Sequence, residues 1–135
     1  MWYKYIVILQ LTIGPIMNLI DFAFSAVLLK HRVTGEMTKT DAGALFASPA
    51  RYNNLELGAS AKLYEVYEFS RNSEVPVSEV LLSVDEIHYE LQRRGLQEPV
   101  DPKYFKTFMK VYGKQLTLTG DTAAFILAME AADRT

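Results

Sequence analysis

The chain has 135 residues, a formal net charge of −2 and a composition that is half hydrophobic. It contains no Cys, which excludes disulfides, thiolate metal sites and Cys nucleophiles. The slightly acidic balance offers no global basic field for nucleic acid, so no nucleic-acid partner is expected.

The opening stretch, Trp2 to Arg32, is the most distinctive. Between Tyr5 and Leu29 there is no Lys, Arg or Glu, and Asp21 is the one Asp. A helix over that range would be roughly 37 Å long, enough to cross a hydrocarbon core of about 30 Å with some tilt. Trp2, Tyr3 and Tyr5 suit an aromatic belt at one interface, and Lys30, His31 and Arg32 suit the headgroups at the other. Residues 1–32 are therefore expected to form a transmembrane helix, with Pro15 kinking it.

Within this stretch Gln10, Gly14, Asn18, Asp21 and Ser25 recur at spacings of four, four, three and four, and so share one helical arc, which Arg32 continues. An Asp facing lipid costs about 2.5–3.5 kcal/mol. A stripe of small and polar residues is what helix–helix packing in a membrane uses. The stripe is thus expected to bind another transmembrane subunit of a membrane complex. The alternative is a soluble α+β domain. Tyr3, Tyr5, Val7, Leu9, Leu11 and Ile13 alternate at period two, as in a buried strand, and Gly14-Pro15 would then be a turn. A cleaved signal peptide with Ala23 and Ser25 as the cleavage pair fits less well, because Asp21 sits just before it.

Lys4 flanks one end of the span, and Lys30, Arg32 and Lys39 flank the other, partly countered by Glu36. This mild bias places the N-terminus outside and the C-terminal domain in the cytoplasm or matrix.

Residues 33–54 read as a linker with one short helix, Ala42 to Ala47, started by Thr40 or Asp41 and ended by Ser48-Pro49. Arg51 to Asn54 reads as a turn. Residues 55–135 read as a compact helical bundle. Its first helix, Leu55 to Arg71, is capped by Asn53 or Asn54. Val77 to Arg94 follows, with Val77, Val80, Leu81, Val84, Ile87 and Leu91 at helical spacing and Gly95 as its stop. Asp101-Pro102 opens a helix predicted to end at Gly113. Its apolar face is Tyr104, Phe105, Phe108, Met109 and Tyr112, and its other face is Lys103, Lys106, Lys110 and Lys114. Gln115 to Thr119 reads as extended, and Ala123 to Ala132 as a final helix capped by Asp121 or Thr122.

The Lys face suits anionic headgroups of a bilayer, or else an ordinary solvated surface. Asp85 and His88 lie three apart on one helix, a single incomplete copy of a di-metal motif, and no metal or other cofactor is expected. Gly58-Ala59-Ser60-Ala61-Lys62 lacks the second glycine of a nucleophile elbow, and no phosphate-cradling loop occurs. The sequence thus predicts an all-α protein with one N-terminal transmembrane helix and a small bundle. Its expected role is that of a non-enzymatic accessory, assembly or regulatory subunit of a membrane complex. The alternative role is a soluble interaction or adaptor module.

Overall fold

The computed structural model describes residues 17 to 46 and 48 to 134. Among them the chain is all-α, with no strand: α1 (Leu19–Thr34), α2 (Lys39–Gly43), α3 (Pro49–Glu56), α4 (Leu63–Ser73), α5 (Val77–Arg93), α6 (Pro102–Thr119) and α7 (Asp121–Asp133). The expected strand Tyr3 to Ile13, the Gly14-Pro15 turn, and Gln10 and Gly14 of the polar stripe lie outside the described residues.

The continuous helix expected from Tyr5 to Leu29 is corrected at Asn18. That residue is extended (φ −97°, ψ 171°) and its side chain accepts from the Asp21 N–H at 2.8 Å. It is the N-cap of a new helix, with Asp21 completing a favourable acidic first turn. α1 has 16 residues and so is about 24 Å long. Among the described residues no helix is long and apolar enough to cross a membrane. The segment Leu19 to Leu29, expected to lie in lipid, is instead the helix around which the bundle packs.

α1 packs against α5 on one side, α6 on another and α3 on a third, while α6 and α7 form an extensive antiparallel pair. Its apolar residues serve two cores. Leu19, Phe22, Ala26 and Leu29 join Phe105, Phe108, Tyr112 and Leu116 of α6 and the Ala-rich face of α7. Ala23, Phe24, Val27 and Leu28 join Phe46, Tyr52, Leu55, Phe69, Val80 and Val84. Phe22 is fully buried and meets Phe105 and Phe108 at centroid distances of 5.0 and 4.9 Å, both edge-on. A helix that is apolar all round fits either lipid or a protein interior. Here the protein supplies the interior.

Other boundaries move for local reasons. α2 starts from a capping box of Thr38 and Asp41. The predicted turn Arg51 to Asn54 is helical, because Ser48 caps α3 and Pro49 occupies its first turn. The helix predicted over Leu55 to Arg71 is broken between α3 and α4. Gly58 there has φ +102°, and a Cβ would collide with the Met17 side chain. α6 begins where Asp101 and Pro102 predict but runs through Gly113 to Thr119, turning the expected extended segment helical. α5 and α7 lie within a few residues of their predicted ranges.

Candidate functional site

The described members of the polar stripe all bond within the chain. Asn18 caps α1. The Asp21 carboxylate accepts from the Ser60 hydroxyl at 2.7 Å. Ser25 Oγ lies 2.6 Å from the Leu55 carbonyl and 2.9 Å from the Asp21 carbonyl, fully buried. Arg32 makes a two-pronged bond to Glu56 at 2.8 and 2.9 Å. Hydrogen bonding to Glu56 raises the Arg32 pKa further, against its partial burial. Burial first, and then the nearby Glu56 carboxylate, push the Tyr52 phenol well above its ordinary range. The stripe therefore ties α1 to the end of α3 and to the loop that follows. A foreign helix docking on Asp21 and Ser25 would have to displace these bonds. Among the described residues no buried side-chain N or O is left without a partner.

A second pair, Arg51 to Glu65 at 2.6 and 2.7 Å, holds α3 to the start of α4. The Arg51 guanidinium keeps the Glu65 carboxyl below its usual range. Neither pair was legible as a pair, because the partners lie 24 and 14 residues apart. The sole trace was that Arg32 continues the arc of the stripe.

The Lys face of α6 is arranged differently. Lys103, Lys106, Lys110 and Lys114 are all exposed and fall on the side of α6 opposite its buried residues Phe105, Phe108, Tyr112 and Leu116. None of the four is in an ion pair with a described residue. α6 carries no Asp or Glu at all. Lys106, Lys110 and Lys114 form one bank of an open groove of about 680 Å³ between α1 and α6. Arg32 and Lys39 line it from the other side. Its floor is apolar: Met17, Leu29, Val33, Phe105, Met109 and the backbone of Gly113. One carboxylate, Glu56, reaches it, and that carboxylate is already bound to Arg32.

The chain enters the fold beside this groove. The Met17 carbonyl accepts from Val100 N–H at 3.0 Å, and Leu19 N–H donates to Glu98 at 3.0 Å. Met17, which lines the basic groove, is thus tied to the loop before α6.

A second groove, of about 480 Å³, lies on the other side of α1, between α1, α5 and α7. Its charges are mostly satisfied: Lys30 meets Asp121 at 2.9 Å, and Glu90 meets Arg93 at 2.9 Å and Arg94 at 3.9 Å. His31 stands edge-on to Phe69 at 5.2 Å, and burial lowers its pKa. No nucleophile beside a base is assembled there. Asp85 is exposed and His88 half-buried on α5. No group of three or more potential metal-ligating side chains occurs among the described residues. No family model, curated protein or solved structure matches the chain.

Proposed function

We propose that the protein is a non-enzymatic accessory module that works at an anionic membrane surface. The observation carrying this reading is the Lys face of α6, exposed, unpaired with any described residue and set beside the entry of an apolar sequence. A Lys or Arg near an anionic bilayer contributes about 1 kcal/mol of attraction. Stable anchoring needs two signals, such as an apolar insertion together with a basic patch. The stretch from Tyr5 to Ile16 has no charged residue, and Trp2, Tyr3 and Tyr5 are suited to the headgroup boundary. As a helix those twelve residues would measure about 18 Å, short of the hydrocarbon core. In this reading the segment is an interfacial anchor. A full single-pass span would need Leu19 to Leu29 as well, and those residues fill the two cores.

The accessory role, with other subunits of a membrane complex as partners, rests on exposed apolar side chains elsewhere. Leu63, Tyr64 and Tyr67 on α4, and Leu81, Leu82 and Tyr89 on α5, are all exposed. They equally favour the second reading, an adaptor that binds a protein partner without lipid.

Flotation of the full chain with phosphatidylglycerol vesicles at low salt tests the first reading. The protein is expected to rise with these vesicles, and far less with phosphatidylcholine vesicles or at high salt. Protein that stays at the bottom of the gradient with both lipids overturns it.

A further inference from the structure

We infer that the groove between α1 and α6 takes the acyl chain of a single anionic lipid, with Lys106 and Lys110 holding its carboxylate or phosphate. This inference rests on the membrane-surface reading and specifies what the surface grips. Its basis is charge complementarity over an apolar floor. The rim carries Arg32, Lys39, Lys106, Lys110 and Lys114 against the single carboxylate of Glu56, and Glu56 is committed to Arg32. A free anion would be served by the rim alone and would leave the half-buried Met17, Val33 and Met109 of the floor wet. An uncharged lipid would leave the lysines unanswered. An amphiphile with one anionic end satisfies both. The volume of about 680 Å³ falls within the range of small-molecule sites.

Gly113 sets the depth of the groove. A Cβ there would touch the two Leu29 methyl carbons at 3.7 Å, an ordinary contact. Gly113 therefore tolerates a small side chain, whereas a larger one would fill the space between Leu29 and Met109. Replacement of a helical Gly also raises helix propensity, so a Gly113→Leu variant is expected to fold.

The test is calorimetric titration of the full chain with octanoate, decanoate and dodecanoate below their micellar concentrations. Affinity is expected to rise about fourfold per buried methylene. Dodecyltrimethylammonium, equal in length and opposite in charge, is expected not to bind. Gly113→Leu is expected to abolish dodecanoate binding while still floating with phosphatidylglycerol vesicles, because its lysines are intact. Lys106→Glu with Lys110→Glu is expected to lose both. Wild-type protein that floats with vesicles but ignores dodecanoate overturns the groove and leaves the surface reading standing. Equal binding of the cationic amphiphile, or of dodecanoate by Gly113→Leu, also overturns it. So does a dimer of the full chain that Gly113→Leu converts to monomer, since a second copy would then be the occupant.

Discussion

The two grooves that flank α1 share one apolar helix and differ in what their neighbours bring to the rim. On the α5 side, Lys30 meets Asp121 and Glu90 is shared by two arginines. On the α6 side, three lysines face solvent with no acidic residue on their own helix. α5 contains Glu79, Asp85, Glu86 and Glu90 against a single Arg, whereas α6 contains four Lys and no acid. Paired surface charges contribute little to binding or stability. Unpaired ones of a single sign are a field waiting for a counterion. A net charge of −2 conceals this division, because the excess acid is concentrated elsewhere.

The largest expected effect comes from loosening α1, the helix that both grooves share, at its contact with α6. Phe22→Ala deletes a fully buried ring and should cost about 3–5 kcal/mol in urea unfolding. Loss of one groove with the other intact would show that they are not coupled through α1. Glu56→Gln leaves Arg32 without its carboxylate on the basic side. Stability should fall by about 3 kcal/mol, while affinity for anionic vesicles should rise, since a further cation is freed. A fall in both would mean that Arg32 does not face the groove's ligand.

Arg51→Met should cost about 2 kcal/mol, by stranding the nearly buried Glu65. Because Arg51 holds the Glu65 carboxyl below its ordinary value of 4.5, the pair adds stability at neutral pH that is lost as pH falls below that value. Acid unfolding profiles should show the variant losing less additional stability through that window than the wild type. The smallest effect belongs to the paired groove. Lys30→Ala breaks a half-exposed pair, should cost below about 1 kcal/mol, and should leave vesicle flotation unchanged.

The period of the apolar residues made α5 and the first part of α6 legible, and Asp101-Pro102 marked where α6 begins. The Lys face of α6 was equally legible, since it needs nothing but spacing. What lay beyond the sequence was the environment of α1. Its apolar residues cover nearly the whole circumference, and such a helix meets the same requirement in lipid or in a core. The break at Asn18 was hidden because the stripe keeps its spacing through it. The break after α3 falls at Gly58, whose φ of +102° the spacing of the apolar residues does not reveal. Gly113 looked like a stop. Instead Leu29 packs against its bare backbone, and burial of Leu116 one turn later favours continuing the helix. Half of the groove was thus readable as a charge stripe, while its apolar floor appears only once α1 is set beside α6.

The central claim is that the position of the lysines on α6, and not the overall charge of the chain, directs the protein to an anionic surface. Two charge-reversed variants separate these: Lys106→Glu with Lys110→Glu, and Lys62→Glu with Arg71→Glu, which alters the net charge equally at exposed sites on the α4 side. Flotation with phosphatidylglycerol vesicles should be lost in the first variant and largely kept in the second. Equal loss in both, or retention in both, would contradict the account.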